Sequence, residues 1–220
     1  MEQEEKKDIE SDSTEKKEYM QITFIRDYFT FAEGQYITIS QNEFNIIVGN
    51  NGAGKTTLLN SLTSKRRKEI LGRYISIENM RKQNVIILSA ESFRATKSPF
   101  VDSRKEVYLN QLNQKSHGEA WKVELDRLKL RCNDDTFIIM DEPETALSIE
   151  SQIELCEWFI SLKNKYQNIG CAISTHSLIL MELIGERVIE VPSCQQWSAK
   201  DYVELKYQRI SEAKKNAKYI

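Results

Sequence analysis

Short apolar runs, separated by polar and turn-forming stretches, organise the chain from Tyr19 onward. "MQITFIR" and "QYITIS" are rich in β-branched and aromatic residues and flank "DYFTFAEG", with Gly34 as the turn. They predict two paired strands leading to a third, "FNIIV" at 44–48. "NVIIL" (84–88), "TFIIM" (136–140), "GCAIS" (170–174) and "RVIEV" (187–191) read as further strands, apolar on both faces and therefore buried. Between them lie helical spacings: Trp121, Leu125 and Leu128 at i, i+4, i+7, and Ile149, Ile153, Cys156 and Ile160 at three- to four-residue steps. Strands alternating with helices predict an α/β chain with a mostly parallel central sheet covered on both faces. The last segment, "DYVELKYQRISEAKKNAKYI", reads as a strand followed by a basic helix.

Composition narrows the class. A chain of 220 residues, 40% hydrophobic and 29% charged, suits one core with at most a small appended lobe. Residues 1–18 carry a single large apolar side chain after Met1, Ile9, too little to offset ordering entropy, and are expected to form a charged, disordered tail. The apolar runs are too short to cross a bilayer and the N-terminus is charged, so no membrane insertion and a cytoplasmic location are expected. Cys132, Cys156, Cys171 and Cys194 lack the close pairing of a zinc site or disulfide framework and read as reduced thiols. A net charge of −2 gives no global attraction to nucleic acid. The basic run "SKRRKE" (64–69) reads first as a solvated helix end.

The chemistry is concentrated in three places. Gly49, Asn50, Asn51, Gly52, Ala53, Gly54, Lys55 and Thr56 fit G-x-x-x-x-G-K-[ST], after a β-branched strand and before a helix. Glycines let backbone N–H groups turn inward as an anion nest, and the helix N-terminus adds its dipole. Lys55 can reach β- and γ-phosphates, and the Thr56 hydroxyl can ligate Mg²⁺. Thr57 continues the loop into the helix. "FIIMDEPE" places Asp141 at the carboxyl end of a buried strand, where it can hold the Mg²⁺ shell, and adjacent Glu142 can polarise water as a general base. In "AISTHSLI", His176 follows one strand and precedes a helix, which delivers it to the same sheet edge.

A fourth stretch, "QKSHGEAW", is ambiguous on its own. Ser116 and Glu119 form a capping box for the helix carrying Trp121, Leu125 and Leu128. A capped N-terminus with Gly118 beside the serine is also an anion site.

Taken in order, "GNNGAGKTT", "SHGE", "FIIMDEPETALS" and "STHS" resemble the ATPase core of the ABC superfamily. More narrowly they resemble its soluble branch, the chromosome-maintenance (SMC) and DNA-repair ATPases and small stand-alone ATPases of the AAA_21 kind. The resemblance covers roughly residues 20–192, leaving 193–220 as a C-terminal extension. It implies a P-loop NTPase fold with an N-terminal antiparallel β lobe and a small helical lobe. It further implies ATP and Mg²⁺ held between two head-to-tail subunits, as a homodimer or with another ATPase subunit. Carried over residue by residue, Ser116, His117, Gly118 and Glu119 occupy the signature that meets the partner's nucleotide. Ala146, Leu147 and Ser148 fall at the loop crossing the interface, and His176 at the switch histidine.

Two departures matter. His117 stands where the signature usually has a second glycine. After "NVIILS" the usual Mg²⁺-sensing glutamine is replaced by "AESF", with Glu91 as the nearest polar equivalent. The short span between Lys55 and Ser116 leaves no room for coiled-coil arms. The expected function is a soluble ATP-hydrolysing switch acting on a partner protein or nucleic acid. The alternatives are the ATP-binding subunit of a membrane transporter and a low-turnover nucleotide-dependent module in nucleic acid defence or repair. Tyr28 or Phe29 is a candidate to stack on adenine.

Overall fold

The computed structural model describes residues 18–63, 72–89, 122 and 125–217. The expectations for the tail up to residue 17, "SKRRKE", Glu91, Ser116, His117, Gly118, Glu119 and Trp121 fall outside them. Two sheets carry the described residues. β1 (Tyr19–Phe24) pairs antiparallel with β2 (Tyr36–Ser40) on one side and with β4 (Ile75–Glu78) on the other. This is the expected antiparallel lobe, though β4 was not among the predicted strands. The third strand of that reading, β3 (Phe44–Val48), leaves the lobe and joins the second sheet.

That second sheet has six strands in the order β5-β6-β7-β3-β8-β9. β5 (Asn84–Ser89), β6 (Thr136–Asp141), β7 (Gly170–Ser174), β3 and β8 (Arg187–Glu190) run parallel. β9 (Gln195–Ser198) is antiparallel to β8 and closes the edge, so the segment after residue 192 completes the sheet. Period-2 alternation divides the strand residues between two cores. Ile46, Ile138, Met140, Ile173 and Val188 pack on one face against α2 (Ile149–Lys165), α3 (Leu178–Ile184) and α4 (Ala199–Ala217). Ile47, Phe137, Ile139, Ala172 and Ile189 pack on the other against α1 (Lys55–Leu62) and the antiparallel lobe.

Two expectations need correction. The strand expected at the start of "DYVELKY" is the first part of α4. Its buried residues, Ala199, Tyr202 and Val203, lie at i, i+3, i+4, and the Asp201 N–H is capped by the Ser198 hydroxyl at 3.1 Å. The β-prone Tyr-Val pair was misleading because packing onto the first core overrides intrinsic preference. The second correction concerns α2. Of the predicted apolar stripe only Cys156 is buried, whereas Ile149, Ile153 and Ile160 are exposed. The buried face is Leu155, Cys156, Trp158, Phe159 and Leu162. A 3.6-residue period fits both stripes, and the one with the larger aromatic volume faces the sheet. Leu125 and Leu128 are buried as expected.

Trp158 stacks edge-on against Phe159, and its indole N–H donates to the Leu125 carbonyl at 3.1 Å. Trp158→Ala removes that anchor between α2 and the residues preceding β6. The expected cost is about 3–5 kcal/mol of folding stability, measurable as a lower denaturant midpoint with an unchanged slope.

Candidate active site

All three chemical segments reach the carboxyl edge of the parallel sheet, because β3, β6 and β7 are adjacent there. Behind β3 the loop closes on backbone that side chains would obstruct. A Cβ on Gly49 would lie 2.4 Å from the Val191 carbonyl oxygen. Gly54, at φ 103, would meet the Thr30 hydroxyl at 2.4 Å and the Phe31 ring. Gly54 is also the N-cap of α1 and offers no side-chain hydrogen bond, so the first-turn N–H groups face the loop cavity without a side-chain cap there. Thr30 donates to the Ala53 carbonyl at 2.8 Å, which fastens the antiparallel lobe to the loop.

Lys55 is the electrostatic centre. It is buried, and its ammonium lies 3.1 Å from the Gly49 carbonyl, 2.8 Å from His176 Nε2 and 3.2 Å from Glu142 Oε1. His176 Nε2 is in turn 3.5 Å from the same Glu142 oxygen. One cation, one imidazole and one carboxylate, contributed by three segments, therefore converge on one point. The His176 loop is further held to the acidic turn, since the His176 N–H donates to Glu144 Oε1 at 2.6 Å.

Thr56 and Asp141 form the second cluster, with the Thr56 hydroxyl donating to Asp141 Oδ2 at 2.8 Å. Two hard oxygens at that separation match the ~2.9 Å edge of an octahedron with Mg²⁺–oxygen bonds of 2.0–2.1 Å. The donor set fits Mg²⁺ and not a softer metal. Among the described residues no group of three or more His, Cys, Asp or Glu could hold a metal by itself. Such a site requires phosphate oxygens or water to complete the shell, as Mg²⁺ sites usually do.

The cavity beside these groups has a volume of about 330 Å³, and Phe29, Thr30, Asn51, Gly52 and Glu142 contribute to its lining. Cavities of about 580 and 600 Å³ lie against α3 and α4. They are larger, but neither is lined by Lys55, Thr56 or Glu142. Phe29 is 80% exposed and holds a left-handed φ of 56°. Strained non-glycine backbone of this kind clusters at binding sites. Tyr28 instead packs edge-on against Phe29 and at a tilt against Tyr74, half-buried beside the second core. Of the two candidate aromatics, only Phe29 lines the cavity.

Ala146, Leu147 and Ser148, expected at an interface loop, directly follow Glu144 and Thr145 of the acidic turn. Pro143–Ala146 form one short 3-10 turn, and Ser148 caps α2 by accepting the Ser151 N–H. The cysteines carry no comparable chemistry. Burial pushes the Cys156 and Cys194 thiols up to about 11 and raises Cys132 and Cys171 as well, so all four resist forming thiolates. Sequence reasoning missed Thr30, Ser174 and Glu144. Ser174 was visible as the polar end of an otherwise apolar strand, two residues before His176.

The fold is that of the P-loop nucleoside triphosphatases, with the G-x-x-x-x-G-K-[ST] loop at the carboxyl edge of its parallel sheet. The sequence model of the ABC transporter family matches residues 33–101, which include the phosphate loop. No curated protein is matched by sequence. Among solved structures the fold is similar to the ADP conformation of MJ1267, an ATP-binding cassette of an ABC transporter. That match has 16% identity, 84% of this chain, 92% of that chain and a TM-score of 0.58. It is also similar to cbiO1 from Clostridium perfringens, part of the ABC transporter complex cbiONQ (17% identity, 89% and 98% covered, TM-score 0.56). A third likeness is to a dimeric post-hydrolysis state of the cassette MJ0796 bound to ADP and Pi (16%, 82% and 98%, 0.53). The fold is that of the ABC ATP-binding cassettes, and the reaction of such ATPase domains is ATP hydrolysis. The likeness holds at the level of the cassette and does not single out the soluble SMC and repair branch. Among the described residues, no helix is long and apolar enough to cross a membrane.

Proposed function

We propose that this chain binds Mg-ATP at the Lys55 loop and hydrolyses the β–γ bond between two head-to-tail cassettes, using the closure and release of the pair as its output. The observation that carries this reading is the convergence of Lys55, Glu142 and His176 within 3.5 Å of one another, beside the Thr56–Asp141 oxygen pair. Gly49 through Thr57 wrap the phosphates, and Lys55 holds the β- and γ-oxygens. Phosphate oxygens compete for the ammonium that Glu142 otherwise contacts, which frees the Glu142 carboxylate to take a proton from water. The water oxygen bonds to the γ-phosphorus, the bond to the bridging oxygen breaks, and ADP leaves with that oxygen's electron pair. His176 steadies the γ-phosphate. Thr56 and Asp141 would hold Mg²⁺, which when bound neutralises charge on the β- and γ-oxygens. Glu91 as a further metal-shell residue, and Ser116, Gly118 and Glu119 as the partner's half of the site, complete the reading. Steady-state phosphate release with and without Mg²⁺ tests it directly, and no ATP-dependent phosphate release would overturn it.

The transporter reading has the stronger support for what this engine drives, because cassettes of ABC transporters, cbiO1 among them, share the fold. On that reading the chain is the ATP-binding subunit of a transporter and docks on a separate membrane-spanning protein. The soluble switch is kept by a different observation: the short span from Lys55 to Ser116 leaves room for only a small helical lobe, which argues against a typical transporter coupling surface. Co-purification with an integral membrane protein supports the first and is not expected of the second.

Phe29 is the proposed base contact. Stacking of a base on an aromatic ring contributes about 1–3 kcal/mol. Phe29→Ala is therefore expected to raise the ATP Kd by about 5- to 150-fold without lowering kcat at saturation. Titration of ATP by fluorescence, beside inorganic triphosphate as a base-free control, checks it.

A further inference from the structure

We propose that Ser174 is a positioning residue that couples the metal-holding Asp141 to the base Glu142, an inference that rests on the ATPase reading of the site. Ser174 is the last residue of β7 and is fully buried. Its hydroxyl has one proton to donate and two lone pairs to accept with. The proton goes to Asp141 Oδ1 at 2.5 Å, and the oxygen accepts the Glu142 N–H at 3.0 Å. Asp141 Oδ2 takes the Thr56 hydroxyl. Each Asp141 oxygen therefore accepts one hydroxyl, and the carboxylate cannot rotate without losing both.

Glu142 depends on the same group through its backbone. It is a non-glycine residue at φ 45, ψ 56, a conformation that persists only when neighbours over-determine it. Its N–H is shared between the Ser174 carbonyl and hydroxyl oxygens, both at 3.0 Å. Its carbonyl accepts from the Thr145 hydroxyl at 2.8 Å. This left-handed turn accompanies the Glu142 side chain's approach to Lys55 and His176. A single hydroxyl thus sets the direction of the metal ligand and helps hold the turn that carries the base. A buried serine serving only to satisfy strand-end polar groups would affect stability and leave metal affinity alone.

The test uses the full chain and a fluorescent ATP analogue with a non-hydrolysable β–γ bridge, titrated with Mg²⁺. In Ser174→Ala the Mg²⁺ concentration for half-maximal binding is expected to rise about 10- to 100-fold, as for loss of an outer-shell partner of a metal ligand, with kcat for ATP falling in parallel. Metal-free binding of the analogue should stay unchanged, and Ser174→Thr, which keeps the hydroxyl, should recover the Mg²⁺ midpoint. A folded Ser174→Ala with the wild-type Mg²⁺ midpoint overturns the proposal. If the alanine variant does not fold, Ser174→Cys, similar in size but a weak donor, must show the same weakened Mg²⁺ response, and a wild-type midpoint there overturns the proposal equally. Failure of the underlying reading looks different. Wild-type protein that binds Mg-nucleotide without hydrolysing it overturns the ATPase reading alone, and the Mg²⁺ titration still decides Ser174. Wild-type protein that binds no nucleotide overturns both.

Discussion

Replacing Glu142 with glutamine is expected to lower ATP turnover by about 10²–10⁴-fold, the usual worth of a positioned general base, while leaving ATP affinity nearly intact. Glutamine keeps the shape of the side chain and a carbonyl oxygen that can face Lys55, so the loop should still close around phosphate. It cannot accept a proton from water at neutral pH. The loss should therefore appear in kcat, with the ATP Kd little changed, the pattern of an interaction made only in the transition state. Under the head-to-tail reading, the variant also accumulates the closed pair, because hydrolysis is what reopens it. Steady-state phosphate release and equilibrium ATP binding on the same preparation separate the two effects. Normal turnover in this variant would remove Glu142 from the role of base.

Lys55→Ala should fail earlier. The Lys55 ammonium is the cation that the Gly49 carbonyl, His176 and Glu142 share. Truncating it leaves Asp141 and Glu142 at the sheet edge facing an incoming polyanion, with a repulsive field in place of an attractive one. ATP binding should weaken strongly. Residual turnover at the highest attainable ATP should fall by about 10²–10³-fold or more, the scale for removing one preorganised charge-stabilising donor. The two variants thus differ in kind: Lys55→Ala loses the nucleotide, whereas Glu142→Gln holds it. A calorimetric ATP titration of Lys55→Ala that matched wild type would contradict the placement of the phosphates at this loop.

Much of the candidate site is legible in the sequence, because phosphate binding leaves local signals. The Gly49–Thr56 spacing, the acidic pair after "FIIM" and the histidine after "AIST" each follow a strand. Parallel strands deliver their carboxyl ends to one edge. The supporting contacts were harder to read. Ser174 and Glu144 act through pairings set by strand order, β6 beside β7, which sequence spacing does not encode. Thr30, in the turn between β1 and β2, reaches Ala53 across 23 positions.

The fold misreadings have related causes. β4 is only four residues long and pairs with β1 across the sequence, with little local pattern to announce it. On α2 two stripes satisfied the same period, and only the position of the sheet decided that Trp158 and Phe159 face inward while Ile149, Ile153 and Ile160 do not. Tyr202 and Val203 favoured a strand locally, yet they occupy adjacent positions on the buried side of α4.

The proposed closure by ATP of two copies of this chain, or of this chain and an equivalent ATPase subunit, is tested by the solution mass of Glu142→Gln. Light scattering behind gel filtration would compare the variant with Mg-ATP and with Mg-ADP. The expected result is a pair of chains with Mg-ATP and a single chain with Mg-ADP, the pair dissolving when Lys55→Ala is added to the same chain. A single-chain mass in both nucleotides, with ATP demonstrably bound and no second ATPase subunit required for turnover, would contradict it.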